Sequence, residues 1–256
     1  MAFSRRDDGP LAVLTLDHGE LNLWDGEVFA SLAEHVAALA ADPPRGVLIT
    51  ASGRVVSAGV DVHEFEHLTP ETGGRLWREL LATIQRLEDL PCPTVFAAGG
   101  LCLTASFELA LACDLLIAAE SARFGLVEVV VGLTPSMGGP QRLAARAGPA
   151  RAKQLIYTGE TFDARTLEAW NVVNVVVGDA ELDDRALALA RRIADGPTLA
   201  HAATKRIVQT AVDEGTRAAD AIVPEVSGAL FASADLRNAV RSFLRDGPGK
   251  ATYEGR

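Results

Sequence analysis

Gly99-Gly100-Leu101-Cys102-Leu103-Thr104-Ala105-Ser106-Phe107-Glu108-Leu109-Ala110-Leu111-Ala112-Cys113-Asp114 is the stretch from which the rest of the chain is best read. Glu108 is its anomaly. Thiols aside, it is the sole ionisable side chain between Glu88-Asp89 and Asp114. A carboxylate among apolar neighbours is costly unless it is paired or hydrogen-bonded, and burial raises its pKa towards the range of a general acid or base. Glu128, within Leu126-Val127-Glu128-Val129-Val130, repeats the pattern as the one ionisable residue between Arg123 and Arg142. The plain alternative at each place is a buried ion pair or a hydrogen-bonded core glutamate. Two such residues, each near a turn containing Gly or Pro, point to prepared chemistry. Thr104 reads as the N-cap of a helix through Ala112. The Ala105 N–H would then be a free first-turn donor at the positive end of the helix dipole. A donor aimed at a pocket is half of an oxyanion hole, although an ordinary helix start would look the same.

Outward from this stretch, strands alternate with helices. Leu11–Leu16, Gly46–Ala51 and Thr94–Ala98 read as strands. Gly26–Ala41 has helical spacing through Val28, Leu32, Val36 and Leu39, and Glu71–Leu90 is an amphipathic helix stopped by Pro91 and Pro93. Alternation to about residue 178 predicts an α/β core with right-handed crossovers. After Asp179 the chain reads as helices over 181–194, 198–213, 217–231 and 235–244. A core at 1–195 and a helical C-terminal region at 196–256 follow.

Composition limits the partners. The net charge of -10 argues against nucleic acid. An acidic chain can still hold an anion on local backbone N–H groups. Leu101 to Ala119 is the most apolar stretch, but Glu108 and Asp114 interrupt it, so no membrane span is expected. The N-terminus carries charges with no apolar run behind them, unlike a secretory signal. Three cysteines, Cys92, Cys102 and Cys113, lack CxxC spacing and read as buried free thiols. A cytoplasmic location is the expectation.

Ser57-Ala58-Gly59-Val60-Asp61 follows the strand 46–51, and its small residues would let backbone approach a ligand closely. Together with Leu21-Asn22-Leu23, Phe107-Glu108-Leu109-Ala110, Cys113-Asp114, Ala122 to Glu128 and Gly132 to Leu143, this segment resembles the crotonase superfamily of enoyl-CoA hydratases and isomerases. The ordered set at these spacings is strongly specific.

The resemblance implies a crotonase-like spiral of ββα units with an α-helical C-terminal region that trimerises, as a homotrimer or a dimer of trimers. It implies an acyl-CoA thioester as ligand, with no separate cofactor and no metal, and the backbone N–H groups of Val60 and Ala105 as oxyanion hole. Glu108 and Glu128 fall where hydratases keep two carboxylates that hold a water. Glu108 would be its base, and Glu128 would deliver a proton to Cα. Substrate or coenzyme contacts fall at Leu21, Leu23, Ala58, Asp61, Val62, Thr104, Pro135 and Gly138, and at Phe243 and Lys250 of a neighbouring subunit. The sequence departs from the family at Thr104-Ala105-Ser106, where three glycines are usual, and at Val60, where Ala is common.

His63-Glu64-Phe65-Glu66-His67 matches the HExxH zinc signature. Pro70 follows closely, no Gly-x-x-His continuation exists, and a third ligand would have to come from Glu88 or Asp89. No GxGxxG after a strand, P-loop or GxSxG elbow is present. The leading expectation is hydration of a trans-2-enoyl-CoA thioester. The alternatives are an isomerase of the same fold, a non-catalytic acyl-CoA binder and, remotely, a zinc hydrolase.

Overall fold

Strands with no charged residue, each buried along most of its length, form the centre of the protein. The computed structural model describes residues 2–256. In chain order the elements are β1 (Phe3–Asp8), β2 (Leu11–Leu16), α1 (Gly26–Ala41), β3 (Gly46–Ala51), α2 (Pro70–Glu88), β4 (Thr94–Ala98), β5 (Leu101–Leu103), α3 (Thr104–Ala112), β6 (Leu115–Ala119) and β7 (Arg123–Gly125). There follow α4 (Gly139–Ala147), α5 (Pro149–Thr158), β8 (Phe162–Asp163), α6 (Ala164–Ala169), β9 (Val175–Val177), α7 (Leu182–Ala194), α8 (Thr198–Glu214), α9 (Thr216–Ala229) and α10 (Ala234–Asp246). The main sheet has the order β1-β2-β3-β4-β6-β9 and is parallel except for β1, which pairs antiparallel with β2. Interior parallel strands are covered on both faces, so β2, β3 and β4 are continuous apolar runs. A smaller sheet, β5-β7-β8, stands beside it. Helix α7 packs across β3 and β4, whereas α8 and α9 pack chiefly on each other. No helix among the described residues is long and apolar enough to cross a membrane.

Local chemistry sets the helix starts. Asp25 caps α1 by accepting from the Val28 N–H, and the Thr69–Thr72 capping box starts α2 at Pro70. The expected capping role of Thr104 is overturned. Helix α3 begins at Thr104 itself, its N-cap is Leu103, and no side chain caps it. Because β5 runs into α3 without a connecting loop, the chain turns at residue 104, which takes a left-handed φ of 47°. The Thr104 side chain then lies against Gly59 instead of over the first-turn N–H groups.

The three cysteines are buried free thiols, and burial raises each of their pKa values. Asp114 ties the helical region to the core. It accepts from the Thr94 N–H at 2.7 Å and from Lys205 Nζ of α8 at 2.9 Å.

Candidate active site

Two loops and one helix start build the site. The segment 57–61 is stitched to its surroundings by backbone bonds: Ser57 N–H to the Leu101 carbonyl at 3.0 Å, Ala58 N–H to that of Leu21 at 2.9 Å, and Trp24 N–H to that of Gly59 at 2.9 Å. The Asp61 N–H returns to the Trp24 carbonyl at 2.8 Å. Flanked on both sides, the Val60 N–H itself has no acceptor among the described residues. The Ala105 N–H, second in α3, has none either. Trp24 joins the two halves, since its Nε1 donates to Ser106 Oγ at 2.7 Å in the buried interior.

Glu108 is 2% exposed, on the first turns of a helix that is buried all round. Among the described residues it has no ion-pair partner in contact. Its Oε1 accepts from the Met137 N–H at 2.9 Å and the Gly139 N–H at 2.7 Å. Burial pushes its pKa up to about 7, against the pull of those N–H bonds and of the Arg142 guanidinium. Arg142 is held in a two-pronged pair with Glu88, with Nε at 2.7 Å from Oε1. Glu128 opens a 3₁₀ turn, Glu128–Val131, after β7. Burial, and then the charge of Glu108, push its pKa up to about 8, and its buried Oε2 has no partner among the described residues. The Met137 and Gly139 N–H groups favour the ionised form of Glu108, whereas Glu128 Oε2 has no such partner among the described residues.

Both carboxyls line one cavity of roughly 230 Å³. Of the residues expected at the site, it gathers Ala58, Val60, Val62, Thr104, Ala105, Glu108 and Glu128. Leu21, Leu23, Asp61, Pro135, Gly138, Phe243 and Lys250 are not in its wall. Leu21 acts through its carbonyl on Ala58, and Asp61 caps the 3₁₀ turn Val62–Phe65 by accepting from the His63 N–H at 3.0 Å. Gly138 carries a φ of 101° at the start of α4. Phe243 and Lys250 are exposed. The sequence reading missed Phe29, Phe65, Trp77 and Met137, which supply the apolar wall. Phe65 and Trp77 face each other with centroids 5.7 Å apart. Their spacing along the chain carries no signal, since they come from different elements. The HExxH segment forms only that short 3₁₀ turn, and His67 lies beyond it, so the helical i,i+4 face that zinc chelation needs is not formed.

Residues 7–255 match the family model described as enoyl-CoA hydratase/isomerase. The chain is 34% identical to "Probable enoyl-CoA hydratase echA8" of Mycobacterium tuberculosis (strain CDC 1551 / Oshkosh), over 81% of this chain and 82% of that one. It is 36% identical to the human "Enoyl-CoA hydratase domain-containing protein 2, mitochondrial", over 81% of this chain and 72% of that one. Among solved structures, it superposes on an enoyl-CoA hydratase from Polaromonas sp. JS666 with a TM-score of 0.91 at 27% identity, covering 99% of this chain and 100% of the other. A Geobacillus kaustophilus HTA426 structure described as "Enoyl-CoA Hydrates Subunit I" gives a TM-score of 0.93 at 32% identity, covering 100% and 99%.

Proposed function

From the premise that this chain belongs to the enoyl-CoA hydratase/isomerase family and has the crotonase fold, we propose that it adds water across the 2,3 double bond of a trans-2-enoyl-CoA thioester. The observation that carries this reading is the pair Glu108 and Glu128 on one cavity wall, beside two N–H groups without acceptors among the described residues.

A water held between the carboxyls has two acceptors and one donor around it. Ionised Glu108 takes a proton from the water while its oxygen bonds to C3. The double-bond electrons move onto the thioester oxygen, where the Val60 and Ala105 N–H groups stabilise the enolate. Protonated Glu128 delivers its proton to C2. The carboxyls finish with the proton exchanged between them, and the next water resets the pair. Such a division of roles requires surroundings that favour ionisation of one carboxyl over the other, and the two N–H donors on Glu108 supply that bias.

The finer assembly reading rests on the C-terminal helices. Phe231, Phe243 and Leu244 are 77%, 58% and 79% exposed, more apolar surface than a free helix face carries comfortably. A trimer or dimer of trimers would cover them, with Phe243 and Lys250 reaching a neighbour's coenzyme.

The direct test is absorbance at the enoyl-thioester band, with crotonyl-CoA and longer homologues. Loss of the band, with a 3-hydroxyacyl product, is expected. A protein that instead creates the band from a 3-enoyl-CoA is an isomerase, and that result would overturn hydration.

A further inference from the structure

Thr104, in the wall of the candidate site, carries two unfavourable features at once. Its φ of 47° lies in the left-handed region, which a β-branched residue rarely adopts. Its Oγ1 is buried without a hydrogen-bond partner among the described residues, although the residue as a whole is 5% exposed. The nearby Ser106 hydroxyl, by contrast, is engaged by Trp24. Strain and an orphaned hydroxyl persisting together at a cavity wall are features that cluster where a ligand supplies the missing contact.

The placement narrows the ligand atom. Thr104 directly precedes Ala105, and Gly59 directly precedes Val60. Thr104 Oγ1 and Cγ2 lie 3.3 and 3.7 Å from where a β-carbon on Gly59 would sit. The hydroxyl thus lies against Gly59, the residue before Val60, and Thr104 lines the same cavity as Val60 and Ala105.

We propose that the Thr104 hydroxyl is a third hydrogen-bond donor to the thioester oxygen, beside the N–H groups of Val60 and Ala105. Gly59 covers Oγ1 in this conformation, so the donor role requires a turn about the Cα–Cβ bond that brings Oγ1 to the cavity. A neutral carbonyl oxygen has two lone pairs for the two N–H donors. An enolate oxygen accepts a third bond, so the hydroxyl acts on the charge that develops during reaction and its effect falls on kcat.

This inference rests on the oxyanion reading above, and the test separates the two. Thr104→Val keeps the branched shape and removes the hydroxyl, Thr104→Ser keeps the hydroxyl, and Thr104→Gly removes both the hydroxyl and the backbone strain. Expected are a kcat roughly 10- to 100-fold lower for Val with little change in KM, near-normal turnover for Ser, and a Gly variant that melts higher than wild type yet is as slow as Val. Isotope-edited infrared spectra of a bound saturated acyl-CoA should show the thioester carbonyl stretch lowered by wild-type protein, and less so by Val. If wild type leaves the stretch unmoved, the oxyanion reading falls and takes this proposal with it. If wild type lowers it and Val matches it in both stretch and kcat, the Thr104 proposal alone is overturned. A fully active Thr104→Gly enzyme overturns it equally, even where the Val variant does not fold.

Discussion

Glu108 and Gly139 meet at one oxygen. The Gly139 N–H donates to Glu108 Oε1 at 2.7 Å, and a β-carbon on residue 139 would begin 2.9 Å from that same atom and 2.9 Å from Cγ. No room exists for a side chain there while the carboxylate keeps its place. Gly139→Ala should therefore displace Glu108 by a fraction of an ångström to an ångström, with turnover falling about 10²-fold. The backbone of residue 139 has no left-handed φ to forbid alanine, so the fold should survive. Kinetics beside circular dichroism check this, and a folded, fully active Gly139→Ala enzyme would show that the position of Glu108 is unimportant.

Glu108→Gln and Glu128→Gln should each lower hydration by about 10²–10⁴-fold. Glu128→Gln has a second, opposite consequence for stability. The folded-state pKa of Glu128, about 8, lies above the ordinary 4.5, so the fold favours the neutral carboxyl. That contribution is complete below about 4.5 and is lost as pH rises through about 8. Wild type should thus lose stability relative to Glu128→Gln by on the order of 1 kcal/mol per pH unit across this window. Thermal melts of both proteins at pH 5, 7 and 9 measure it. A constant difference in Tm would mean that Glu128 is not buried in the way described.

Activity should be bell-shaped in pH. With Glu108 near 7 needed ionised and Glu128 near 8 needed protonated, kcat/KM should decline below the first value and above the second. Arg142 lowers the Glu108 pKa through its charge. Arg142→Gln should accordingly move the acidic limb to higher pH and leave the alkaline limb nearly in place. An acidic limb that stays put, or moves to lower pH, would remove Arg142 from the electrostatics of the site.

The two glutamates were legible in the sequence because a charge inside an apolar run is visible without a structure. The same holds for β2, β3, β4 and α1, whose burial writes an apolar pattern. Strand β1 was not legible: Phe3–Asp8 is an edge strand with four consecutive exposed side chains, so no alternation marks it. Helices α4 and α5 escaped because they are short and interrupted at Gly148. At the site, the N–H groups of Met137 and Gly139 could not be read, since a backbone donor leaves no trace in residue type. Thr104 misled for a related reason. Threonine before a helix ordinarily caps it, and only the direct junction of β5 with α3 gives residue 104 its left-handed turn.

The assembly reading predicts that the protein is larger than 256 residues' worth of mass in solution. Light scattering at micromolar concentration should give three or six times the chain mass. Replacing exposed Phe231 and Leu244 with serine should lower that mass while circular dichroism stays unchanged. A clean monomer for the wild-type protein would refute the claim.

The last prediction concerns the donor at residue 105. Ala105→Gly should keep or raise turnover, since it widens the site and leaves the N–H in place. Its cost in stability should be at most about 1 kcal/mol, because glycine at a helix start loses less than in the interior. Proline is the obvious way to delete the N–H, and a first-turn position would normally admit it. Here it would not be a clean probe, because a following proline drives the preceding residue to an extended backbone, whereas Thr104 sits at a φ of 47°. Ala105→Pro should therefore lose stability as well as activity. Replacing residue 105 with lactic acid exchanges the N–H for an ester oxygen at nearly constant shape. That protein should fold, bind acyl-CoA almost as well as wild type, and turn over about 10²–10³-fold more slowly, as when a single oxyanion donor is removed. An ester-linked enzyme with wild-type kcat would strip residue 105 of its part in the oxyanion hole and leave the glutamate pair to carry the mechanism.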